Sequence, residues 1–116
     1  MSNVYVDLGE VYDIIVGTTK LFESTISDPE TSQNLDITDT QVFATSKVLL
    51  YRPNGNLICA PITAQYADRP NSIISWVAGA FTNDFAGNHK GVIQMFNNQG
   101  QLINQQFFNF NIARVQ

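Results

Sequence analysis

His89 is the only histidine and Cys59 the only cysteine among 116 residues. Any mechanism that moves protons through an imidazole must therefore use that one ring. A Ser-His-Asp triad or a Cys-His dyad also needs a nucleophile in hydrogen-bond reach and a third group to orient the base. His89 lies between Asn88 and Lys90, just after Gly87, at the start of a predicted strand. The chain has no Gly-x-Ser-x-Gly elbow, and nothing in the sequence places Cys59 beside the ring. The expectation is a local hydrogen bond, not catalysis.

Metal chemistry fares no better. A structural zinc needs about four Cys or His ligands, and the chain holds two such residues. Asp28 with Glu30, or Asp36 with Asp39, could offer oxygens to calcium. Neither pair has the Asp-x-Asp-x-Asp-Gly spacing of a dedicated loop, so both are expected as turn-forming carboxylates. Ten acids give no reason to choose a glycosidase pair. The glycines are spaced as turn residues, not as a phosphate cradle. No cofactor, no metal and no enzymatic activity are expected.

The aromatic residues carry the remaining options. Trp76 between Ile74 and Ala78 reads as core. Exposed, with Tyr51 or Tyr66, it would instead make a sugar-stacking platform. Phe81 and Phe85 fall in a loop bearing glycine and asparagine, where a contact surface is as natural as burial. Tyr5 and Tyr12 lie near the N-terminus. These four, Tyr5, Tyr12, Phe81 and Phe85, are the candidate partner-binding residues.

Something must position them, and the composition bounds what that is. The length suits one domain, residues 1–116, able to bury a core without disulfides. Residues 1–10 could form an N-terminal arm or edge strand. Charged residues make up only 14%, and the polar remainder is Asn, Gln, Thr and Ser. Such a surface suits close packing against protein more than long-range steering. The net charge of −4 and six scattered cations argue against nucleic acid and against an anionic membrane surface. The N-terminus lacks a signal-peptide pattern, and no apolar run reaches membrane-spanning length. A reducing cytoplasm is the expected place of synthesis.

Turn signals recur at short intervals, and no long window keeps a helical period. Val4–Leu8 alternates as an edge strand, and Val11–Val16 is a short apolar run. Lys20–Ser27 alternates Phe22, Ser24 and Ile26 against Leu21, Glu23 and Thr25. Gln41–Tyr51 is the longest strand candidate. The Pro53-Asn54-Gly55 turn should return it through Leu57–Ile62. Gln65–Asn71 is predicted as loop, Ser72–Val77 as strand, and Ala78–Asn88 as loop. A closing hairpin ends in Phe108-Asn109-Phe110-Asn111-Ile112, a period of two that puts Phe108, Phe110 and Ile112 on one face. About seven to nine strands in an all-β, immunoglobulin-like antiparallel sandwich follow.

The order of these signals resembles the immunoglobulin-like domains of tailed-phage virion proteins, especially the N-terminal domain of phage baseplate upper proteins. The residues that carry the resemblance are Gly17-Thr18-Thr19-Lys20-Leu21-Phe22, the corner Leu35-Asp36-Ile37-Thr38, and Lys47 through Gly55. Ala86 through Ile93 and the Phe108–Ile112 terminus complete it, with His89 where that family places a Tyr. The resemblance implies a non-enzymatic structural protein of the virion, assembled in the host cytoplasm. A free-standing copy points to a capsid decoration or cement protein. A tail, baseplate or fibre-anchoring component is the alternative, and a carbohydrate or host-receptor module is a rival of another class. The implied partners are the major capsid protein or tail and baseplate proteins, with a homo-oligomer as the usual form.

Overall fold

Among the described residues seven strands form. Burial alternates along residues 21–25 and 103–113, while residues 48–50, 74–76 and 91–93 are buried in succession. The computed structural model describes residues 5–28, 30, 31 and 33–114, with the backbone alone for residues 5–11. The strands are β1 (Tyr5–Ile15), β2 (Thr19–Thr25), β3 (Thr45–Tyr51), β4 (Ile62–Asp68), β5 (Ile73–Gly79), β6 (Gly87–Phe96) and β7 (Leu102–Ala113). They hydrogen-bond in the order β1-β7-β6-β3-β4-β5-β2. The first half of β4 pairs with β3 through Ile62–Ala64, and the second half pairs with β5 through Gln65 and Asp68. β4 therefore passes from one sheet to the other. The β7-β6-β3 sheet faces the β5-β2 sheet across the core, the immunoglobulin-like arrangement.

The closing hairpin forms as its period of two predicts. Phe108, Phe110 and Ile112 are buried, as are Phe22, Ser24 and Ile26 on the facing sheet. Asn97 shapes the hairpin turn by accepting from the N–H groups of Gln99 and Gln101. The corner residue Ile37 is fully buried between the sheets, and Asp36 accepts from the Thr38 N–H and hydroxyl beside it.

Four expectations need correction. Val4–Leu8 and Val11–Val16 are not separate runs. From Tyr5 they form one strand, with a register shift between Asp7 and Val11, and it pairs parallel to β7. The sandwich is thus antiparallel except at this edge. Gln41–Phe43 is a turn, because the Asp39 carboxylate takes the N–H groups of Gln41 and Val42 before a strand can form. Leu57 makes only an isolated bridge to Tyr51, and Ile58 donates to Leu50. Pro61, lacking an N–H, precedes the true return strand at Ile62. Finally, Gln65–Asp68 is strand rather than loop, followed by a 3-10 turn at Arg69–Asn71.

Gly91 shows how tightly the sheets are packed. A Cβ there would fall inside the van der Waals envelope of the Phe108 ring. Phe108 is itself locked between Tyr12 and Trp76, at 5.2 and 5.3 Å between centroids. Gly91→Ala is expected to destabilise by about 2 kcal/mol through overpacking. Urea denaturation checks this, and a Phe108→Leu background should return part of the loss.

Candidate functional site

The His89 ring is buried, and its Nε2 lies 2.6 Å from the Phe85 carbonyl, four residues upstream. The other ring nitrogen is buried without a partner. This is the geometry in which a sandwich tyrosine ties its corner back to an upstream carbonyl. Here the imidazole of His89 makes such a tie to Phe85. The ring is spent on the loop, and among the described residues no Ser, Cys or acid is hydrogen-bonded to it.

The carboxylates likewise serve turns. Asp28 accepts from the Glu30 N–H, Asp36 from Thr38, and Asp39 from Gln41. Hydrogen bonds from Thr38 hold the Asp36 carboxyl below its ordinary pKa. Among the described residues no three His, Cys, Asp or Glu side chains gather as a metal site would require.

The docking candidates divide. Phe81 is only 6% exposed and packs edge-on to Phe110 at 6.0 Å. Tyr12 is half-buried, donates to Ser24 and contacts Phe22, Trp76 and Phe108 edge-on. Phe81 is core, where a contact surface is as natural an expectation, and Tyr12 packs half-buried against the core. Phe85 is half-buried beneath the Arg52 guanidinium, 4.6 Å from the ring centre. The Tyr5 side chain lies outside the described residues; its backbone pairs opposite Gln105.

A sugar platform needs exposed rings. Trp76 is 2% exposed and stacks on Phe22 at 4.5 Å, its cross-strand partner in the sheet. Its emission is therefore expected to be blue-shifted, unquenched by iodide and indifferent to glycans. A red-shifted, quenchable emission would contradict the packing. Tyr66 donates to the Thr45 carbonyl at 2.6 Å and is capped by Arg69, 4.2 Å from the ring centre. Arg69 in turn ties the carbonyls of Ile37 and Phe43 to this corner.

Burial pushes the Tyr66 phenol up to about 12, against the pull of Arg69. A raised folded-state value means the neutral phenol is favoured by folding. That stability is complete below the ordinary tyrosine value of about 10 and is lost as pH rises from there toward about 12. An ultraviolet phenolate titration should show a tyrosine that ionises near pH 12, with the denaturation midpoint falling over the same window.

Cys59 sits in a bend, half-buried, and its thiol is raised by desolvation. It is not in the strand expected for it, but it packs against the core cluster. The outward face of the closing hairpin is tied across strands. Lys90 donates to Asn109 at 2.8 Å, Gln94 to Gln105 at 3.1 Å, and Asn111 to Asp13 at 3.1 Å. A sheet whose outer amides pair with one another in this way presents a flat, weakly charged surface.

Sequence reasoning missed the sheet edge. Among the described residues β2 pairs only with β5, because β1 lies on β7 instead. Beside that edge stand Leu21 and Val77, 57% and 49% exposed and directly opposite each other in the sheet. Leu21 could have been flagged from the Lys20–Ser27 alternation, since it is the apolar residue on the polar face.

No family model and no curated protein matches the chain. Among solved structures it is similar to the fibronectin(III)-like modules of Clostridium thermocellum CbhA. The identity is 10%, with 93% of this chain and 94% of that chain covered and a TM-score of 0.48. A likeness at this level carries no functional inference.

Proposed function

We propose that this chain is a non-enzymatic structural protein of a tailed-phage virion, a capsid decoration protein that docks by surface complementarity. The observation that supports it most is the outward face of the β1-β7-β6 layer. There, neutral amides pair across strands, and among the described side chains the charges of Lys90 and Asp13 are hydrogen-bonded to Asn109 and Asn111. A surface whose polar groups are already mutually satisfied loses little on being covered by a neighbouring protein. The order of sequence signals from Gly17 to Ile112 supplies the virion setting, and the same surface would serve a tail or baseplate component.

The N-terminal strand is the proposed anchor, because among the described residues β1 is an edge strand with one side open to a neighbour's sheet. Mass spectrometry of gradient-purified particles from the source of this sequence tests the reading. The protein should be present in many copies and co-sediment with capsids. Its absence from particles would overturn the proposal, and its presence on isolated tails alone would move it to the tail. Deleting Met1–Gly9 should abolish co-sedimentation while keeping the fold, since Val11–Ile15 still pair with β7.

A further inference from the structure

Among the described residues β2 pairs on one side only, with β5. Ile26 donates to the Ser72 carbonyl and Ala80 donates to Thr18, both at 2.8 Å, in the same register that sets Phe22 opposite Trp76. Hydrogen-bonded pairs recur at every second residue of an antiparallel ladder. The even-numbered residues of β2 therefore spend their backbone groups on β5. The N–H and C=O groups of Thr19, Leu21, Glu23 and Thr25 point to the open edge. Their side chains are exposed, on the outer face of the sheet.

We propose that two copies of the chain pair antiparallel through β2, with Leu21 opposite Leu21 of the second copy and Thr19 opposite Glu23. Charge and the leucine contact together select this register. Here the two Glu23 carboxylates stand four residues apart along the pair, roughly 14 Å, beyond the ~10 Å screening length at 0.1 M salt. Sliding by one residue in each copy puts Glu23 opposite Leu21 and the carboxylates about 7 Å apart. A further slide sets Glu23 against Glu23 at about 5.5 Å. Only the first register keeps the acids apart and leaves the leucines together.

The chosen register gives three hydrogen-bonded residue pairs, about six interchain backbone hydrogen bonds. It also makes one apolar row across four strands, because Val77 already faces Leu21 within each copy. The row Val77-Leu21-Leu21-Val77 brings Leu21, 57% exposed in the isolated sheet, against Leu21 of the second copy. The sheet then runs unbroken through both copies, closing the edge that β1 leaves open by pairing with β7. This pairing does not depend on the virion reading.

Sedimentation velocity of the full chain across a concentration series tests it. The expected species is a dimer that dissociates on dilution. Leu21→Pro removes an N–H that points to the open edge, a position where an edge strand tolerates proline. Leu21→Lys adds two like charges at the twofold axis. Both variants should sediment as monomers, with the blue-shifted Trp76 emission showing that the fold is retained. In a Cys59→Ser background, Leu21→Cys should cross-link between copies with a short bis-maleimide. A wild-type monomer at every concentration would overturn the proposal, as would a dimer that persists in folded Leu21→Lys.

Discussion

Phe110→Ala is expected to destabilise the protein by about 3–5 kcal/mol, the cost of emptying a fully buried aromatic site. Phe110 is 0% exposed and touches both sheets: Phe22 and Phe81 edge-on at 5.6 and 6.0 Å, and Trp76 at 5.8 Å. Phe22 and Trp76 are held by their own strands and Phe81 is packed under the loop, so the site cannot collapse to fill the void. Removing Phe110 also frees the wall on which Phe81 rests, and with it the loop tied by His89. Urea denaturation at constant m-value checks the magnitude. Asn109→Ala, one residue away on the outer face, should change stability by less than about 0.5 kcal/mol. Equal costs at the two positions would mean that the strand is not held in one register.

Gln106→Leu is the second large effect, expected at about 2–4 kcal/mol although a buried polar residue is replaced by an apolar one of similar size. Gln106 is fully buried and clasps the backbone of Ser27 across the sandwich. Its Oε1 accepts from the Ser27 N–H at 3.2 Å, and its Nε2 donates to the Ser27 carbonyl at 2.9 Å. The same Nε2 donates to Asn104, itself buried, at 2.9 Å. Leucine offers none of these bonds. It leaves a backbone donor and acceptor and a buried amide without partners, each penalised by about 1–3 kcal/mol when water cannot reach it. The amide mimics a strand where the chain leaves β2 for the corner at Leu35–Thr38. A thermal scan of Gln106→Leu should show a lowered midpoint, and an unchanged one would mean that water replaces the clasp.

The alternation in the closing hairpin was sufficient to assign its inner face, because strand side chains alternate whatever the neighbours do. The same rule grouped Phe22, Ser24 and Ile26 on one face, which the structure shows buried. It failed at Gln41–Phe43 and Leu57–Ile62, where a carboxylate cap and a proline decide the backbone against the hydrophobic pattern. Asn104 and Gln106 share the inner face with Phe108, yet amides read as surface until a partner is known. The burial of Phe81 was hidden for a related reason. Loop composition leaves its exposure open, and only the facing sheet shows that it packs on Phe110, as Tyr12 packs half-buried on Phe108.

What the sequence determined by itself is local: strand-period alternation, turns at Pro53-Asn54-Gly55 and Asn97–Gln101, an all-β sandwich, and a surface poor in charge. Those properties follow from side chains acting within a few residues of their own backbone. The tertiary structure alone decided that β1 lies parallel on β7, that β4 crosses between sheets, and that β2, among the described residues, is left with an open edge. Strand pairing joins residues far apart in the chain, and its energy depends on which faces meet across the core. No local pattern records that choice, and the edge it leaves is where the chain has most to offer a second copy.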